Sequence, residues 1–197
     1  MNTFPPTHIV NVMLDLETLG TYPGCAILSI GAATFGKDLP IDLADRQFYV
    51  EISRKFSKMV GLEEELLTLD WWEKQDPMVK EQAFSGTTPL DTALIYFNRY
   101  IYDVELRSNT PVLLWSKGAA FDIPLLQVAY KKMGIKEPWR YQNTRCLRTL
   151  VSLATAAGIT LDIPSGTPHH ALVDAVNQAK DASKCLAGLE AIINHAH

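Results

Sequence analysis

The feature that most limits what this chain can fold into is the run at residues 8–17. Ile9, Val10, Val12, Met13, Leu14 and Leu16 fill it almost without alternation. That pattern belongs to a strand covered on both faces rather than one with a wet side. The run ends in Asp15-Leu16-Glu17, and on a strand residues i and i+2 leave the sheet on the same face. Two carboxylates are thus placed side by side at the end of an apolar strand, where they repel unless a cation or a proton sits between them. Taken alone, the pair reads equally as the solvated end of a strand.

The elements that follow give a mixed α/β pattern. Gly20, Pro23 and Gly24 break the chain into a loop. A second strand is predicted at 26–35 and a third at 47–52, after a polar loop at 37–46. The two short connections imply an antiparallel meander that later strands extend. Helices are predicted at 66–75, ended by Asp76-Pro77, and at 78–84. Another is predicted at 89–106, where Ala93, Leu94, Phe97, Ile101 and Val104 recur near helical spacing and Thr88-Pro89 resembles a cap followed by proline. A short strand at 111–115 precedes helices at 121–133, 142–157 and 170–195. No repeat or linker divides the chain, so the 197 residues, 47% of them hydrophobic, are expected to form a single domain.

Charge and cysteine usage narrow the function. A formal net charge of −4 argues against a protein that coats nucleic acid through bulk positive charge. It leaves room for an enzyme whose bound cations supply the local charge. Cys25, Cys146 and Cys185 are odd in number and lack a paired spacing, which points to a reducing compartment. Neither a secretory signal nor an apolar run of membrane-spanning length is visible, so a cytoplasmic protein with no membrane partner is expected.

Two further acidic positions stand out. Asp122 falls in the first turn of a predicted helix, where the macrodipole favours acids in any case. His169-His170-Ala171-Leu172-Val173-Asp174 opens the last long helix. His170 and Asp174 share a helical face at i,i+4. His169 lies about 140° round an ideal helix from Asp174, so to act with it His169 must sit in the loop before the helix. Thr167 and Pro168, a helix-start signal, permit that. Two surface histidines at a helix start would look the same.

In order along the chain, DLET near the amino terminus, FD at a helix start and HxALVDA near the carboxyl terminus resemble the DEDD superfamily of 3′–5′ exonucleases. The histidine five residues before the last aspartate resembles its histidine-bearing branch. The segment 66–77, with Thr144-Arg-Cys-Leu-Arg-Thr-Leu, further resembles a subgroup containing phage exonuclease A and a mycobacterial exoribonuclease. Many relatives carry Asn in an NxxFD motif, and here that position is Gly118.

The resemblance implies a ribonuclease H-like mixed sheet, with its first three strands antiparallel and the further strands parallel, flanked by helices. It implies metal-dependent hydrolysis of single-stranded nucleic acid, DNA or RNA, from a free 3′ end; an RNA-specific trimming enzyme and a non-catalytic binding module are the alternatives. Asp15, Glu17, Asp122 and Asp174 would hold two divalent cations, Mg²⁺ or Mn²⁺. His169 would be the general base, with His170 as the alternative. Candidate substrate contacts are Thr18, Leu19 and Gly20 after the first motif, Phe121, Trp71 or Trp72 as a stacking surface, and Arg145 and Arg148, i and i+3 on a helix, for phosphate. By analogy with small members of the superfamily, the protein would be a homodimer.

Overall fold

The computed structural model describes residues 10–36, 46–162, 166 and 168–195. The start of the expected first strand, most of the polar loop at 37–46, and Thr167 lie outside the described residues. Five strands, β1 (Val10–Thr18), β2 (Ile27–Phe35), β3 (Gln47–Glu51), β4 (Val112–Ser116) and β5 (Thr144–Cys146), form one sheet in the order β3-β2-β1-β4-β5. β1, β2 and β3 pair antiparallel, whereas β4 lies parallel to β1 and β5 parallel to β4. This is the mixed sheet the sequence implied.

β1 is central and covered on both sides, which is why its apolar run shows so little alternation. Val10, Val12, Leu14 and Leu16 point into one cluster with Leu94, Phe97, Ile101 and Val104 of α4 (Leu90–Ser108) and Leu125, Leu126 and Tyr130 of α5 (Asp122–Met133). Met13 points the other way, against Leu147 and Leu150 of α6 (Leu147–Ala156) and Ala175, Ala179 and Ala182 of α7 (Ala171–His195). Asp15 and Glu17 share Met13's face, so the acidic pair emerges on the α7 side of the sheet. Asp15 is the one residue of β1 that is not fully buried.

The close approach of α7 depends on a bare backbone position. Gly31 of β2 stands opposite Asp15 in the register. A Cβ there would meet the backbone of Ala171 and Leu172 at 2.2–2.3 Å. With alanines at 171, 175, 179 and 182 buried beneath it, α7 rests almost directly on the sheet and begins beside the acidic pair.

Local rules explain several helix ends. Asp76 caps α3 (Pro77–Phe84), accepting from the amides of Met78 and Val79 with Pro77 in the first turn. Asn109 (φ 51°) and Gly134 (φ 65°) end α4 and α5 in the left-handed conformation. Three expectations change. Pro89 rather than Thr88 occupies the cap position of α4, without a side-chain cap bond. A helix absent from the sequence reading, α1 (Arg54–Met59), is capped by Ser53 accepting from Phe56. The helix expected over 142–157 is a 3-10 turn (Tyr141–Asn143), then β5, then α6. Its first part pairs with β4 at Thr144–Leu114 and Arg145–Trp115, so tertiary pairing overrides the local helical pattern. Arg145 and Arg148 therefore share no helical face.

Candidate active site

Three elements deliver the acids. β1 supplies Asp15 and Glu17, the first turn of α5 supplies Asp122, and the first turn of α7 supplies Asp174. Carboxylate oxygens of Asp15, Glu17 and Asp174 lie within 4.8 Å of one another. Asp122, 4% exposed, stands beside this group, close enough to act electrostatically on both Asp15 and Glu17. Among the described residues none of the four forms an ion pair with a basic side chain.

Burial and mutual repulsion dominate the electrostatics. Burial first, then the charges of Asp15, Asp174 and Asp122, push Glu17 up to about 9. Burial, reinforced by Asp122 and Asp174 and opposed by the Gln178 hydrogen bond and by Lys117, holds Asp15 well above the carboxylate range. Burial raises Asp122 to about 6, against hydrogen bonds that favour its charged form. Such a set is poorly compatible with four anions near neutral pH unless positive charge enters. The donors are hard oxygens, and neither thiolate nor imidazole belongs to the cluster, which fits a hard divalent cation.

The histidines separate at the loop before α7. His169 takes φ 61°, a left-handed conformation uncommon for a residue with a Cβ. It lies outside the helix, as required for it to share a site with Asp174. Its ring meets Trp71 edge-on, with centroids 4.8 Å apart, and it borders a small cavity with Glu17, Ser29, Tyr49 and His170. His170 turns inward and stacks on Tyr49 at 4.4 Å, while its backbone carbonyl accepts from the Asp174 amide. Among the described residues its buried Nδ1 has no partner.

Beside the acids lies a pocket of about 460 Å³, lined among others by Glu17, Thr18, Thr21, Glu65, Trp71 and Phe121. Trp71, 40% exposed, presents itself to this space, whereas Trp72, 1% exposed, packs inward and donates from Nε1 to the Thr18 carbonyl at 3.0 Å. Leu19 is a correction to the sequence expectation. Its side chain is fully buried in the core, and its backbone is bonded to Ala26 and Glu65, so it offers no wedge against a base. Gly20 is likewise enclosed, with Cys25 Sγ 2.0 Å from where a Cβ would stand. Arg145 donates to the carbonyls of Gln142 and Thr144. The exposed Arg148 lays its guanidinium over Gly118 beside Phe121, with Cζ 3.7 Å from a Cβ position at 118.

Sequence reasoning missed three contributors. Glu65 Oε2 accepts from the Thr21 amide (3.0 Å), the Thr21 hydroxyl (2.9 Å) and the Thr68 hydroxyl (2.9 Å), tying the loop after β1 to α2 (Leu66–Trp72). No sequence signal marked it. Lys117, one residue before Gly118, is the cation acting on Asp15. Gln178 was legible in principle, because it follows Asp174 by one helical turn on the same face.

A mixed sheet whose central strand and α7 start bring the carboxylates of Asp15, Glu17 and Asp174 together, with Asp122 of the α5 start alongside, frames a site of hard oxygen donors. Residues 10–186 match the family model of the 3'-5' exoribonuclease Rv2179c-like domain, and the chain belongs to that family. It is a 3′–5′ exonuclease, a hydrolase. No curated protein matches it in sequence. Among solved structures it is similar to the nuclease domain of 3'hExo, a DEDDh family member bound to rAMP, with TM-score 0.65 and 12% identity over 92% of this chain and 94% of that one. It is also similar to cell-death related nuclease 4, with TM-score 0.61 and 14% identity over 94% of this chain and 64% of that one. At such identities the likeness concerns the fold. Among the described residues no helix is long and apolar enough to cross a membrane.

Proposed function

We propose that the chain removes nucleotides one at a time from the 3′ end of single-stranded RNA. The observation that carries this reading is the cluster of Asp15, Glu17 and Asp174 oxygens within 4.8 Å, opening beside a nucleotide-sized pocket edged by Trp71 and Phe121. RNA is favoured over DNA by the exoribonuclease family and by the bound rAMP of the structurally similar 3'hExo.

Asp15, Glu17, Asp122 and Asp174 would hold two divalent ions, Mg²⁺ or Mn²⁺, which would supply the charge that activates water and stabilises the leaving oxygen. His169 takes the water's proton, the general-base role that imidazole fills most often. Its loop position leaves the ring free of the α7 backbone, while Trp71 braces it from the side. Trp71 and Phe121 flank the terminal base, worth about 1–3 kcal/mol per stacked base. Thr18 lines the pocket between Glu17 and Thr21, whereas the enclosed Gly20 shapes the loop behind it. Arg148, whose guanidinium makes no hydrogen bond or ion pair among the described residues, meets phosphate at the Phe121 edge. Arg145, engaged with carbonyls of its own turn, has a weaker claim on phosphate.

The test uses matched RNA and DNA oligomers labelled at the 5′ end and incubated with Mg²⁺ or Mn²⁺. A ladder shortening from the 3′ end of RNA, faster than on DNA, is expected. His169→Ala should cut the rate by about 10²–10⁴, and His170→Ala should cut it far less. Equal rates on the two polymers would remove the RNA preference, and a dominant His170 effect would reassign the base.

A further inference from the structure

We propose that Gln178 is a positioning residue of the metal site, orienting Asp15 through a neutral hydrogen bond; this rests on the metal-dependent reading above. Gln178 sits on α7 one turn after Asp174, 7% exposed, among the buried alanines 175, 179 and 182. Its Nε2 donates to Asp15 Oδ1 at 2.7 Å across 163 residues of sequence. The other half of the amide, Oε1, is buried and, among the described residues, has no hydrogen-bond partner.

A buried amide in an alanine seam is an odd choice for stability alone. A leucine or methionine would fill the space without desolvating two polar atoms. The amide combines two properties that neither they nor a basic residue combine. It engages one oxygen of Asp15, which fixes the carboxylate plane and leaves Oδ2 for a cation. It does so without bringing a positive charge that would compete with that cation. The unpartnered Oε1 adds an acceptor beside the ligands, suited to the water shell of a bound ion.

Partners that orient metal ligands typically change affinity about 10–100-fold when removed. The test compares wild type with Gln178→Met, which keeps the volume and removes both polar atoms. Mn²⁺ binding is read by calorimetry, metal-free thermal stability by melting in chelator, and RNA hydrolysis by kcat and KM. Expected are a Mn²⁺ affinity weakened about 10–100-fold, a metal-free Tm equal to or above wild type, and a lowered kcat restored by excess Mn²⁺ with KM for RNA little changed. Wild-type Mn²⁺ affinity in the variant overturns the proposal, as does weakened binding accompanied by a lower metal-free Tm, which would mark a structural role. If wild type itself binds no Mn²⁺, the metal reading fails with it; if wild type and variant bind equally, the role of Gln178 alone fails.

Discussion

Replacing Glu17 by Gln should stabilise the chelator-treated protein, by an amount set by how far burial has moved its proton. The folded carboxyl titrates at about 9, against an ordinary glutamate near 4.3 in the unfolded chain. Because the folded value is the higher one, the stability linked to this group is fully present below about pH 4.3 and is lost as pH rises through 9. At pH 7.5 the folded protein holds a proton that the unfolded chain has released. Holding it costs about 1.4 kcal/mol per pH unit above the unfolded value, or about 4 kcal/mol as a ceiling. A chain of this length shifts in Tm by roughly 2–4 °C per kcal/mol, so Glu17→Gln should melt on the order of 10 °C higher at pH 7.5. At pH 5 the same sum gives about 1 kcal/mol, and the two proteins should melt within a few degrees. Calorimetric melts from pH 5 to 9 in chelator give both curves. Coinciding curves at every pH, or a gap that narrows as pH rises, would show that Glu17 is not buried beside like charges. Adding Mn²⁺ should raise the wild-type Tm more at pH 8 than at pH 6 and should leave the Glu17→Gln protein nearly unmoved.

Other perturbations separate packing from chemistry. Gly31→Ala forces a Cβ into the backbone of Ala171 and Leu172; a loss of about 1–3 kcal/mol by denaturant melt is expected from overpacking, with nuclease activity falling further because Asp174 moves with α7. Trp72→Ala removes a fully buried ring and should cost about 3–5 kcal/mol, whereas Trp71→Ala should leave Tm nearly unchanged and raise KM for RNA several-fold, the opposite of the order expected if Trp72 met the substrate. Glu65→Ala unties Thr21 and Thr68 from one carboxylate, so KM should rise with kcat less affected; an unchanged KM would show that the loop after β1 holds its shape without it.

Much of the site was legible because its chemistry is carried by residue type and local geometry. Asp15 and Glu17 share a face through the two-residue period of a strand, and the buried run before them announces a central strand. His169 had to stand outside the helix to meet Asp174, and its φ of 61° shows the backbone doing so. Where local pattern misled, a long-range partner decided. Residues 144–146 pair with β4 instead of extending α6, and Leu19 is drawn into the core, so neither Arg145 nor Leu19 stands where the sequence put it.

The sequence by itself determined which groups the proposed chemistry draws on: four acids and a histidine, in an order and spacing that only a few elements can carry. Tertiary structure alone decided that they meet. The missing side chain at Gly31 and the alanine seam of α7 let a helix from the far end of the chain rest on the central strand, and Gln178 reaches Asp15 only from there. Contacts between positions so far apart in sequence depend on interaxial distance and packing volume, which no local pattern encodes.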